Sequence, residues 1–163
     1  VMQGEFYTAG SRGTQGLQVI DAAKMLDGNP EYVVFNGRVG AISKEQIVVG
    51  QDETVRMYVG NGGVNLISSF HLIGEIFDTV YPEASMGGAL FNNVQTTIIP
   101  AGGAAITEFV ADVPGTYVLV DHALARMDKL CGVCGAVRGL SIHGRQHNHA
   151  MQRPQIPAAG DKF

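Results

Sequence analysis

Charge is scarce in this chain. Only 16% of its 163 residues are Asp, Glu, Lys or Arg, and the 11 Lys and Arg residues are scattered singly. A nucleic-acid binder needs a basic stripe, and a net charge of −4 without a basic cluster argues against that class. Long apolar runs are missing as well, since none reaches the ~18 residues that a membrane-crossing helix requires. Cysteine is limited to Cys131 and Cys134. The opening VMQGEFYTAG has neither the basic region nor the apolar stretch of a secretion signal, and it begins directly on a strand-like pattern. The expectation is a processed or excised piece of a longer chain, whose compartment these residues do not report.

What is present is a globular composition. At 45% hydrophobic the chain is neither disordered nor a charge-rich rod, and 163 residues suffice for one domain with a core. Its 22 glycines fall in recurrent turn signals: GNP at 28–30, GNGG at 60–63, PAGG at 100–103 and VPG at 113–115. Between them lie β-branched and aromatic runs, EYVVFN, TVRMYVG, NVQTTIIP, AITEFVADV and GTYVLVDH. That rhythm predicts an all-β sandwich or barrel. AITEFVADV alternates, with Ile106, Glu108 and Val110 on one face and Thr107, Phe109 and Ala111 on the other. One helix is predicted in LQVIDAAKMLDG, where Asp21 can cap, Gly28 follows the end and Pro30 stops it. Residues 1–144 form the predicted domain, and 145–163 a polar, Pro-containing tail without periodicity.

Two histidines sit in otherwise greasy strand-like runs. His71 lies in SSFHLIGEIFD and shares a face with Ile67, Ser69 and Ile73; His122 closes TYVLVDH on a face with Val118 and Val120. Each admits two readings, a buried imidazole satisfied by a hydrogen bond (for His122, to a backbone carbonyl) or a group that works on a metal or a proton. Asp121 points away from the His122 face, which makes it no obvious partner for that ring. Cys131 and Cys134 form CGVC, with His143, His147 and His149 downstream, but the spacing is shorter than in zinc fingers and GAVRGLSIHG reads as another strand. A blue-copper set of Cys134, His143 and Met151 lacks an upstream His and a closely following Met. GNGG and PAGG are not followed by phosphate-cradling helices.

Several long motifs in order carry a resemblance. PEYVVFNGRVGA (30–41), ETVRMYVGNGGVNLISSFHLIGEIFDTVY (53–81), NVQTTIIPAGGAAITEF (93–109) and PGTYVLVDHALAR (114–126) resemble the second cupredoxin domain of copper-containing nitrite reductases. The opening MQGEFYTAG is similar to the segment by which that family's chain reaches its second domain. The resemblance implies an all-β Greek-key sandwich of cupredoxin type with one short helical insertion. It also implies a periplasmic homotrimer of two-domain subunits, or one attached to the outer membrane on the periplasmic or surface side. In that family a type 1 copper in the first domain takes an electron from a small donor protein, a cupredoxin or a cytochrome c. A type 2 copper lies between the first domain of one subunit and the second domain of its neighbour. Nitrite takes one electron and two protons there and leaves as nitric oxide and water.

Residue by residue, the resemblance makes His122 the type 2 copper ligand and His71 the catalytic histidine, which delivers protons with an aspartate of the first domain. Ile73 becomes the apolar residue that crowds the copper, and Thr96 the residue that orients the catalytic histidine; Gln95 stands where some relatives have Glu. The type 1 site and the other two type 2 ligands are expected only in the missing N-terminal cupredoxin domain, present in the same subunit and, across the type 2 site, in the neighbouring one, so this chain alone is expected to be inactive. LCGVC adds about four residues to the loop after His122 relative to the family pattern, and the tail has no counterpart there. The rival expectations are a non-catalytic cupredoxin-like oligomerisation or scaffold domain, an electron carrier, and a metal-storage site built from CGVC and the tail histidines.

Overall fold

The alternating runs become the strands of two stacked sheets. The computed structural model describes residues 1–123 in full and the main chain of 136–143. Strands β1 (Met2–Phe6), β2 (Tyr32–Phe35), β3 (Ile47–Gly50) and β4 (Thr54–Asn61) come first. β5 (Ser68–Ile73), β6 (Phe77–Tyr81), β7 (Phe91–Val94) and β8 (Thr96–Ile99) follow, then β9 (Ala104–Val110), β10 (Gly115–Asp121) and β11 (Ala136–His143). One sheet runs β2-β1-β4-β9-β6-β7 and the other β3-β11-β10-β5-β8. Pairing is antiparallel except between β1 and β4 and between β11 and β3.

The core lies between the sheets. Phe70, Phe77 and Phe109 are each 0% exposed. Phe70 of one sheet stacks on Phe77 of the other at 5.9 Å between ring centroids, and Phe35 meets Phe70 edge-on at 6.3 Å. Each such ring contributes ~1.5–3 kcal/mol by leaving water, so these contacts fix which face of β5 turns inward. The reading of AITEFVADV holds: Thr107, Phe109 and Ala111 are fully buried, while Glu108 is half-buried and Val110 exposed. Ile106, on the outer side of the same strand, is also buried.

The helix expected after Asp21 is α1 (Ala22–Leu26), and the Asp21 carboxylate accepts from the Lys24 N–H at 3.0 Å. A second short helix, α2 (Ala41–Lys44), and a 3-10 turn at Pro82–Ala84 go beyond the single insertion expected. α2 has no side-chain cap; burial of Ala41 and Ile42 holds it instead. NVQTTIIP, read as one run, is two strands in different sheets. The chain changes sheet at Gln95, between β7 and β8.

Polar side chains are also buried, along the inner side of β1. Gln3, Glu5, Asn61 and Ser68 are all nearly inaccessible to water. Burial on this scale requires partners. The Glu5 carboxylate accepts from the Leu66 N–H at 2.7 Å and from the Tyr7 hydroxyl, and the Asn61 side chain donates to the Leu66 carbonyl at 2.8 Å. These bonds tie the loop before β5 to the N-terminal strand and so hold the entry to β5 in place.

Candidate functional site

Register brings the candidate residues to one face. β5 pairs with β10 so that His71 lies opposite Val120, and with β8 so that His71 lies opposite Thr96. With Phe70 and Leu72 fully buried, the residues between them must point outward. His71 is accordingly half-buried on the outer face of the five-stranded sheet and Ile73 is 45% exposed there. Thr96 is exposed at the start of β8. His122 lies one residue past the end of β10 and is exposed. All four residues singled out in the sequence therefore share this face.

The two imidazoles meet. Their ring centroids are 5.6 Å apart with the planes inclined at 60°. They flank Val120, which is 2% exposed although it belongs to the outer face, so water scarcely reaches the floor beside them. Ile73, opposite Val118, stands one row further from His122 than His71 does.

His71 is held at one nitrogen. Nδ1 lies 2.5 Å from the main-chain carbonyl of Gln95 and 3.4 Å from the Thr96 hydroxyl. A carbonyl only accepts, so Nδ1 carries a hydrogen and donates it. The Gln95 carbonyl is available because the chain leaves one sheet for the other there. Thr96 was the expected orienting residue; the shorter contact is made by its neighbour's main chain. The structural reading of His71, an imidazole satisfied by a hydrogen bond, is thus met at Nδ1, and Nε2 is left without a described partner.

His122 is held by its backbone rather than its ring. Its N–H donates to the Ser69 carbonyl at 2.8 Å. The ring has no hydrogen-bond partner among the described residues, and it is not turned into the core. Asp121 faces inward, as expected, and does not serve the imidazole. Its carboxylate instead accepts from the Ser69 and Ala123 N–H groups and from Gln3 Nε2. Gln3 and Asp121 were missed as partners; the available signal was a carboxylate on the buried face of a strand beside Tyr117 and Leu119, which must find donors.

At the far end of β5 the chain turns at Gly74, with φ +101°, and a side chain there would meet the Tyr117 ring at 2.9 Å. The next residue, Glu75, has its carboxyl pushed above the ordinary value by loss of solvent, with Asp112 and Asp78 adding to the effect. Burial likewise raises the Tyr117 hydroxyl.

The donor set suits one corner of a metal site. A neutral imidazole with a free nitrogen, exposed beside a second imidazole, is a good ligand for copper. Among the described residues no group of three His, Cys, Asp or Glu side chains comes together. His122 therefore fits as a single ligand, and any companions would come from outside the described residues. Cys131, Cys134, His147 and His149 lie outside the described residues, and His143 is described only as the main-chain end of β11.

No protein-family model matches the chain. Among known proteins it is 54% identical over 153 residues to the copper-containing nitrite reductase of Neisseria meningitidis serogroup A, covering 93% of this chain and 38% of that protein. Among solved structures, the copper nitrite reductase from Nitrosomonas europaea matches with a TM-score of 0.66 and 28% identity, over 87% of this chain and 47% of that one. The Cu-containing nitrite reductase from Thermus scotoductus matches with a TM-score of 0.67 and 26% identity, over 98% and 35%. The sandwich is thus of cupredoxin type, and the chain spans less than two-fifths of its Neisseria relative. No helix among the described residues is long and apolar enough to cross a membrane.

Proposed function

We propose that this chain is the second, C-terminal cupredoxin domain of a copper-containing nitrite reductase, and that His122 gives one ligand to a type 2 copper completed by first cupredoxin domains. One observation carries this: two imidazoles with ring centroids 5.6 Å apart stand on a single outward sheet face, in a chain 54% identical to the Neisseria meningitidis protein. In this reading two further histidines come from the first domain of the neighbouring subunit of a homotrimer, and each subunit's first domain holds a type 1 copper. Nitrite is the substrate, a small cupredoxin or cytochrome c the electron donor, and the periplasm or the periplasmic or surface side of the outer membrane the compartment. Exposed Ile73 on β5 and Ile98, opposite Ser69 on β8, support a face that another subunit covers.

When bound, copper supplies the electron and the Lewis acidity that polarises nitrite. The chain's own residues do the rest. His122 presents a neutral ring nitrogen from a fixed strand end. His71 keeps its Nδ1 hydrogen on the Gln95 carbonyl, so it takes up and releases its second proton at Nε2, the nitrogen left for substrate. Thr96, 3.4 Å from Nδ1, restrains rotation of the ring. Ile73 excludes water from the side of the site nearest the end of β5. The second proton passes through the aspartate of the first domain.

Copper titration with and without the first domain tests the proposal. The chain alone should bind copper weakly and without blue colour, and pairing with the first domain should produce a type 2 electron paramagnetic resonance signal. Failure of that signal to form would leave the non-catalytic scaffold reading. Tight binding by the chain alone, lost only when both Cys131 and Cys134 are replaced, would support a storage site instead.

A further inference from the structure

Asp121 and His122 are neighbours that face opposite ways, and the bonds around them depart from a regular ladder. The pair formed by Ser69 and His122 should exchange two main-chain hydrogen bonds if β10 continued. Only the His122 N–H to Ser69 carbonyl bond is made, at 2.8 Å. The Ser69 N–H goes to Asp121 Oδ1 at 3.0 Å, and the same oxygen accepts from the Ala123 N–H at 3.2 Å. One carboxylate oxygen thus binds an amide on the facing strand and the amide that follows His122, an Asx-type turn around the residue that carries the ring. The other oxygen accepts from Gln3 Nε2 at 2.9 Å. Gln3 is itself aimed: its Oε1 accepts from the Ser68 hydroxyl at 2.6 Å, and both residues are 1% exposed.

We propose that Asp121, oriented by Gln3, is a positioning residue that fixes the main chain from which His122 reaches its metal. The inference rests on His122 being a copper ligand. A residue beyond a strand end keeps few ladder bonds and frays readily, yet a ligand that wanders loses affinity because ordering it must accompany binding. Here the carboxylate takes the place of the ladder bond that the Ser69 N–H would otherwise make to His122, and its orientation comes from β1 of the opposite sheet. Asp121 acts on the metal through the backbone and not through the imidazole, from which it faces away. Asp121→Asn keeps an oxygen for both amides, and its new N–H₂ can be accommodated by turning over the Gln3 amide. Asp121→Ala removes every one of these bonds.

The test is type 2 copper affinity in the full-length protein, measured by competition with a chelator, with type 1 colour as the internal reference. Asp121→Ala should weaken type 2 binding ~10–100-fold and leave type 1 copper unchanged. Asp121→Asn should restore most of the affinity, and Gln3→Ala should fall between. Wild-type affinity in Asp121→Ala, or equal losses in the Asn and Ala variants, overturns the inference. If Asp121→Ala does not assemble, Gln3→Ala decides: several-fold weaker binding is expected and unchanged binding overturns it. His122→Ala in the same series separates the two levels. A type 2 signal that survives His122→Ala defeats the ligand assignment; a site emptied by His122→Ala but intact in Asp121→Ala defeats only the positioning role.

Discussion

The two faces of β5 differ as much as any two regions of the molecule. Ser68, Phe70 and Leu72 point inward and are 1%, 0% and 0% exposed. Ser69, His71 and Ile73, interleaved with them, point outward and keep contact with solvent. The inner set places the outer one: a slip of one residue would bury the imidazole and expose the phenyl ring, so the aromatic core enforces the register on which the His71–His122 approach depends. Core packing and the chemistry proposed for His71 therefore fall on alternate residues of the same six-residue strand, which makes them separable by mutation.

Phe70→Ala should have the largest effect and should break the inner side. Loss of the stack on Phe77 and of a fully buried ring should cost ~3–5 kcal/mol in urea denaturation of the full-length protein. A cost near zero would mean that the inner face does not hold the strand. His71→Ala addresses the outer side. Turnover should fall at least ~100-fold with type 2 copper retained, while loss of the hydrogen bond to Gln95 should cost no more than about 1.5 kcal/mol, well below the Phe70 effect. The pH dependence of turnover should change too, and an unaltered profile would count against His71 as the proton donor.

Glu75→Gln should give the smallest effect and sharpens the boundary between the faces. Desolvation holds the Glu75 carboxyl above its ordinary value in the folded protein. A raised folded-state value stabilises the protein at low pH, and that contribution is lost as pH rises through the folded value. A permanently neutral Gln should therefore make the protein slightly more stable than wild type near neutrality, by less than about 1 kcal/mol because solvent screens the group. The advantage should vanish below the ordinary carboxylate range. A variant less stable than wild type at neutral pH would contradict this.

Local features were legible in the sequence and distant ones were not. The Asp21 cap, the alternation through Thr107, Phe109 and Ala111, and the outward side of His71 follow from neighbours within a few residues. α2 was not legible because burial of Ala41 and Ile42, and no capping side chain, makes it. The break in NVQTTIIP was hidden as well: β-branched residues continue across Gln95, and only the assembled sandwich shows that the two halves join different sheets. That break is what gives His71 its carbonyl partner. The Gln3–Asp121 bond joins residues 118 apart, beyond the reach of periodicity, although an Asp on the inward face of an apolar strand did signal that some partner was needed. The site residues themselves came from the motif resemblance, since the residue patterns left both histidines open to a structural reading.

The most direct measurement is the copper content and electron paramagnetic resonance spectrum of His122→Ala in the full-length protein, beside wild type. The account predicts that the type 2 signal disappears while the type 1 signal and colour remain. A type 2 signal of wild-type intensity and shape in that variant would contradict it.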